Sequence, residues 1–217
     1  MKFRTLVFFY WITTFLHAQQ TTSLFLLPTF YPVKTASSMS DSVTLVRHEG
    51  YISQMHNGYH LPLWVYHRIS KQLLEEGVKR ERPSGYPADP AYPLLKRTFY
   101  ESSGYQHGHL APAGDFKWNE QLYVESHFMT NMAPQHGCLN EIGWCYLESM
   151  IRNWAAEDST TVTHVVSGCV PGTWIDSLCY PSGMKIYVPA RFFKAVFIED
   201  TLHPERSRAI GFVVEND

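Results

Sequence analysis

The stretch Gly104-Tyr-Gln-His-Gly-His109-Leu-Ala-Pro-Ala-Gly-Asp115-Phe-Lys-Trp118 sets two histidines in a segment rich in glycine and proline. A second polar cluster follows, Asn131-Met-Ala-Pro-Gln135, and then Asn140, Trp144, Glu148 and Arg152 at a spacing of four. On a helix, residues four apart rotate by about 40° and rise by about 6 Å, so these four side chains stay near one face. Hydrolysis of a phosphodiester needs an activated water, neutralisation of charge growing on the phosphoryl oxygens, and help for the leaving oxygen. His109 is the candidate base, because a neutral imidazole accepts a proton near pH 7. Asn140 is the candidate ligand of a Mg²⁺-type ion, which prefers oxygen donors and keeps several of its waters. Glu148 could hold water, Arg152 could grip phosphate through its planar fork, and Trp144 reads as packing. Each residue also has a purely structural reading: a turn histidine, a helix N-cap for Asn140, and a solvated i, i+4 pair for Glu148 and Arg152.

Outward from this centre, the 217 residues are 45% hydrophobic, 15% aromatic and 18% charged, the composition of one large globular domain and not of a disordered chain. The first 18 residues have the layout of a secretory signal: Lys2 and Arg4, the apolar run Leu6 to Leu16, and Ala18 before the cut. That run is far shorter than the roughly 20 residues needed to span a bilayer, so no stable membrane association is expected after cleavage. The expected location is secreted or periplasmic. Loss of Lys2 and Arg4 leaves 16 Lys and Arg against 20 Asp and Glu, about −4. A protein that coats nucleic acid carries a basic footprint, so phosphate binding here has to come from a local cleft aided by a cation. Cys138, Cys145, Cys169 and Cys179 are compatible with export and up to two disulfides, with neighbour pairing or free thiols both open.

Residues 19–48 are rich in Thr, Ser and Pro without a steady period and predict a loose leader, followed by one domain over 49–217. Leu63 to His67 predicts a strand, Ile69 to Leu74 its end or a short helix, and the Pro/Gly-dense stretch Glu81 to Pro90 a surface loop. Gln121 to Phe128 is a short helical candidate. Ile142, Leu147, Met150, Ile151 and Trp154 give residues 140–156 an apolar helical face. Thr161 to Val166, Met184 to Val188, Phe192 to Ile198 and Ala209 to Val214 read as strands. Strands around one clear helix, without alternating crossovers, predict an α+β fold with a mainly antiparallel sheet flanked by helices.

The segments 104–118 and 131–152 resemble the DNA/RNA non-specific endonucleases of the ββα-metal (His-Me finger) type. The family signature is Asp-Arg-Gly-His, then Asn-x-x-Pro-Gln, then Asn, Trp and Glu on a helix. Gly108-His109 matches the end of the first motif, Asn131, Pro134 and Gln135 the second, and Asn140, Trp144, Glu148 and Arg152 the helix. The resemblance implies a ββα-metal fold and cleavage of DNA and RNA to 5′-phosphorylated fragments. It implies His109 as general base and Asn140 as the sole protein ligand of hydrated Mg²⁺, with Mn²⁺ able to substitute. Glu148 would orient water, while Arg152 and an upstream arginine (Arg82, or else Arg80) would steady phosphate. Asn131 joins the catalytic set, and His107 and Gln135 join Arg82 as substrate-binding candidates.

Gln106-His107 stands where the family has Asp-Arg. Histidine is charged only when protonated, so any contact between His107 and phosphate strengthens toward acid pH. A catalytically weakened nuclease-fold protein that binds nucleic acid or a protein is the alternative this departure supports. A zinc pair, His107-x-His109 with His127 or His136, is another, although such sites normally add nearby carboxylates.

Overall fold

The computed structural model describes residues 4–6 and 42–217. In chain order the elements are β1 Arg4–Leu6, β2 Val43–Arg47, β3 Tyr51–His56, β4 Leu61–Ile69, α1 Lys71–Glu75, β5 Gln106–His109, α2 Glu120–Glu125, β6 Met132–Gln135, α3 Cys145–Glu157, β7 Thr161–Cys169, β8 Trp174–Cys179, β9 Lys185–Pro189, β10 Arg191–Asp200 and β11 Arg208–Glu215. Most of the expected signal and leader lies outside the described residues. The pieces inside are strands: β1 pairs with β11, and β2, with its β-branched Val43-Thr-Leu-Val46, pairs with β3 where composition predicts leader.

Seven strands form one sheet in the order β1-β11-β10-β7-β4-β3-β2, with every neighbouring pair antiparallel. The strand β10 shows why: Phe192, Lys194, Val196, Ile198 and Asp200 are buried in strict alternation, the period of a half-covered sheet. In contrast β4 is buried along nearly its whole length, which is why its sequence reads as an apolar run and not an alternation. Gly168 in β7 lies against β4, and a Cβ there would sit 2.2 Å from the carbonyl oxygen of Leu63, so only glycine permits this approach.

One face of the sheet is covered by α3, whose buried Leu147, Ile151 and Ala155 recur every four residues. Ile151 and Ala155 pack with Ile69, Val165, Val196 and Ile198. Burial of each large aliphatic side chain contributes about 1.5–3 kcal/mol, and that packing fixes the helix on the sheet. The helix predicted over 140–156 starts differently: Leu139–Trp144 is a π-helical segment that runs directly into α3. Asn140 is therefore inside the helical stretch and is not its N-cap. The four cysteines are free thiols, with Cys169 buried and the other three exposed. Cys138 and Cys145 lie about two helical turns apart, beyond the roughly 7 Å Cα reach of a disulfide. Among the described residues, no helix is long and apolar enough to cross a membrane.

Candidate functional site

The strands β5 and β6 pair as a short ribbon, with His109 opposite Met132 and Gly108 opposite Ala133, and the π-helical segment and α3 follow. This ribbon-and-helix unit carries the predicted site. The backbone around His109 is pinned on both sides. Trp144 Nε1 donates to the His109 carbonyl at 2.8 Å, and Leu110 N–H donates to the Asn131 carbonyl at 3.0 Å. Asn131 is fully buried; its Nδ2 donates to the carbonyls of Ala111 and Ser126, and its Oδ1 accepts from Ala111 N–H. Three committed bonds and no exposure make Asn131 a brace for the loop after His109.

The His109 ring meets His127 edge to face, with centroids 5.2 Å apart, and Tyr86 lies 5.9 Å away. Burial pushes the His109 pKa down to about 3, aided by the charges of His127, Arg82 and His107. The imidazole is thus neutral across physiological pH and keeps a lone pair. Arg82 is exposed, and its charge helps to lower both His109 and His127. Arg80 is turned away, donating to the Lys117 carbonyl at 2.9 Å and facing Glu120.

Asn140 Nδ2 donates to Gln106 Oε1 at 2.7 Å, and Gln106 Nε2 in turn donates to Glu141. The amide nitrogen being held, Oδ1 is the atom of Asn140 left to accept a cation. Gln106 thus supplies an acceptor that an aspartate could also supply there, so the fold tolerates the change. The Asn140 amide oxygen and the Glu148 carboxylate, on one continuous helical stretch, are oxygen donors of the kind a hydrated Mg²⁺-type ion takes. Among the described residues there is no group of three or more His, Cys, Asp or Glu suited to a metal, as a zinc pair extended by a third side chain would require.

Glu148 and Arg152 do not form the expected surface pair. Arg152 Nη1 donates to buried Asp115 at 2.9 Å, and His67 Nε2 bonds the other Asp115 oxygen at 2.8 Å. Lys194, 1% exposed, donates to Ser167 at 2.7 Å and lies 4.2 Å over the Trp144 ring. Burial raises the Glu148 carboxyl, opposed by Lys194 and Arg152, and burial lowers the Lys194 ammonium. Arg82, Arg152 and Lys194 bring three cations to this region of a chain of net charge −2, set against the acids Asp115, Glu141 and Glu148.

Two residues expected at the substrate are held within the protein. His107 is sandwiched between Tyr86 and Tyr100, each 4.2 Å from its ring, and its Nε2 donates to the Arg97 carbonyl at 3.3 Å. Burial lowers its pKa, so it stays neutral and braces the 81–92 loop where a free arginine would be charged. Gln135 is fully buried and lies across Gly108, where a Cβ would come 2.1 Å from its Oε1. Neither its Nε2 nor its Oε1 has a hydrogen-bond partner.

Sequence reasoning misses Asp115, His67 and Lys194. A signal exists for Lys194 alone: it occupies an inward position of the alternating β10, where an apolar residue is the rule. Asp115 and His67 lie far apart in sequence and only the fold joins them.

The buried groups make stability depend on pH. Burial lowers His67, His109 and His127 below 6.5, so between those depressed values and 6.5 the unfolded chain binds more protons. Their contribution is fully present above about pH 6.5 and is lost as pH falls. Asp89 and Asp115, held below 3.8, add a further loss in stronger acid. The raised carboxyl of Glu148 acts in the opposite sense between 4.5 and about 7, one group against five lowered histidines once His56 and His107 are counted. Calorimetry should give a melting temperature that declines steadily from pH 7 to pH 4.5; a constant value over that span contradicts the assignment.

With this geometry in view, the chain compares closely with known proteins. Residues 29–217 match the DNA/RNA non-specific endonuclease family. Nuclease 1, mitochondrial, of Schizosaccharomyces pombe is 26% identical over 178 residues, covering 77% of this chain and 55% of the yeast protein. Nuclease EXOG, mitochondrial, of Danio rerio is 34% identical over 165 residues, covering 71% of this chain and 47% of the fish protein. The chain spans about half the length of these relatives. The crystal structure of the EndoG/EndoGI complex contains a chain with a TM-score of 0.65 at 22% identity, covering 80% of this chain and 74% of that one. That likeness gives the fold: mixed α+β, of the ββα-metal type, with a central antiparallel sheet and few helices. The chain belongs to the DNA/RNA non-specific endonuclease family.

Proposed function

We propose that this chain is an endonuclease that hydrolyses phosphodiester bonds of DNA and RNA, with His109 as general base and one Mg²⁺-type ion on Asn140. The supporting observation is a neutral, backbone-pinned His109 that feels the charge of Arg82, in the same ribbon-and-helix unit as an Asn140 whose amide is oriented by Gln106. His109 takes a proton from water as the water oxygen attacks phosphorus. The bond from phosphorus to the 3′ oxygen breaks, leaving a 5′-phosphate. Arg82 and the uncommitted N–H groups of Arg152 hold phosphate oxygens, and Glu148 orients the water. A bound Mg²⁺, for which Mn²⁺ can substitute, supplies charge neutralisation at the phosphoryl and leaving oxygens. Contacts confined to the backbone give little base preference. Residues 1–18 support export to a secreted or periplasmic location, although several relatives carry the word mitochondrial in their names.

A second reading, a weakened enzyme that mainly binds nucleic acid, draws on His107, whose aromatic sandwich keeps it from acting as the family arginine. One assay separates the two: digestion of plasmid DNA and of RNA with Mg²⁺ or Mn²⁺, using protein recovered from the exported fraction. The parent should cut both, and His109→Ala should lower kcat by about 10²–10⁴-fold. Binding without metal-dependent cleavage supports the second reading. Equal activity in parent and variant rejects this site, and an N-terminus other than Gln19 rejects the signal cut.

A further inference from the structure

His127 does not belong to the motifs that identify the family, and the activity proposed above makes no use of it. It is fully buried, two elements away in sequence from His109, and the two rings stand at 90° with centroids 5.2 Å apart. Nε2 of His127 and Nε2 of His109 are both buried, and neither has a hydrogen-bond partner. Two buried imidazole nitrogens without partners, on rings in contact, form one problem with one solution. Two imidazoles joined edge to edge by an N–H···N bond of about 2.9 Å have ring centroids about this far apart, so the two rings are close enough for that bond once their Nε2 edges turn toward each other.

The direction of that bond follows from the far side of His127. Its Nδ1 lies 2.8 Å from the Tyr123 carbonyl, which can only accept. The other neighbour of Nδ1 is the Ser126 hydroxyl at 3.4 Å, whose own proton is donated to the same Tyr123 carbonyl at 2.7 Å. Both neighbours accept, so Nδ1 carries the proton. Burial and the charge of Arg82 keep the ring neutral, so there is a single ring proton and Nε2 is bare. A bare His127 Nε2 calls for a proton on His109 Nε2. The other tautomer of His109 would leave two buried acceptors on neighbouring rings with no proton to share.

We propose that His127 is a positioning residue: it accepts from His109 Nε2–H and thereby fixes the His109 tautomer, leaving Nδ1 as the nitrogen that takes the proton from water. The chain then runs from the Tyr123 carbonyl through His127 to His109, with one proton per link. When His109 gains its second proton, the same acceptor steadies the imidazolium. The inference rests on His109 being the base of the proposed reaction, and its direct test needs no catalysis.

That test is the nitrogen NMR spectrum of the whole protein labelled with ¹⁵N-histidine, recorded at pH 7.5 in the presence of EDTA, with the His109 signals assigned by their loss in His109→Ala. A protonated Nε2 and a bare Nδ1 are expected for His109. The opposite pattern, or fast averaging of the two, overturns the proposal whether or not the protein cuts nucleic acid. In kinetics, His127→Phe keeps a ring of similar size and removes the acceptor; kcat should fall by about 10–10²-fold with KM changed by no more than about twofold. His127→Gln, which can present a carbonyl oxygen near the lost Nε2, should recover most of that activity. A His127→Phe enzyme with the parent kcat also overturns the proposal. Failure of the parent to cleave would count against the proposed activity alone, since the spectrum still decides the tautomer.

Discussion

Asp115→Ala should lose about 3–5 kcal/mol of stability in urea unfolding, among the largest effects of any single substitution in this chain. Asp115 is 3% exposed and accepts from both Arg152 and His67. Its removal leaves a guanidinium beside the buried ammonium of Lys194 with only Glu148 to balance two positive charges. His67, 1% exposed, loses the acceptor for its Nε2, and its Nδ1 is already without a partner. His67 cannot reach water to recover what it lost, and Arg152, a quarter exposed, recovers only part of it, so the cost includes stranded polar groups and not merely one missing contact. Whatever fraction of the variant folds has an Arg152 with no fixed direction, and kcat should fall with it. A change below about 1 kcal/mol would mean that solvent already reaches this cluster.

Gly108→Ala should cut activity by about 10²-fold while unfolding the chain only in part. A Cβ at this position meets Gln135 Oε1 at 2.1 Å, Cδ at 2.2 Å and Cγ at 2.5 Å. Gln135 is fully buried on the partner strand, so it has no open direction in which to swing. The ribbon must part instead, and His109 is the next residue along. Overpacking of this kind costs about 1–3 kcal/mol, and a displacement of about 1 Å at a reacting group can cost 10²-fold in rate. The double variant Gly108→Ala, Gln135→Ala removes the clashing atoms and should recover a large part of both losses. If the double variant is no better than the single one, the glycine is needed for its backbone and not for the space above it.

These two residues show where sequence reading succeeds and where it stops. Gly108 and His109 are legible because the ribbon is local: adjacent residues, a known motif, and a glycine whose presence already asks for a close approach. The antiparallel sheet is legible for the same reason, since each of the strands β4, β7, β10 and β11 announces itself by its own apolar residues. Asp115, His67 and Lys194 come from three separate parts of the chain, and the His67–Asp115 hydrogen bond and the charge of Asp115 felt by Lys194 exist only once the sheet has closed. Arg152 is visible in sequence but its partner is not, so a helix-surface pair with Glu148 is the nearest local guess. For Asn131 and Gln135 the motif gives the position, but nothing in it says that both end fully buried or that the Asn131 amide binds backbone.

The π-helical start of the long helix has one further consequence, for how positions along it are counted. A π turn closes i to i+5 instead of i to i+4, so the segment Leu139–Trp144 shifts the angular phase of everything before it relative to α3. Counting by fours from Glu148 back through Trp144 to Asn140 follows an ideal α-helix that the chain leaves at Trp144. Asn140 aims at Gln106 on the ribbon because of that phase slip, and the carboxylate of Glu148 takes its aim from the regular helix after it. The two oxygen donors are thus set by separate stretches of one continuous rod. Their relative bearing is an adjustable property of where the slip occurs, not of the residues themselves.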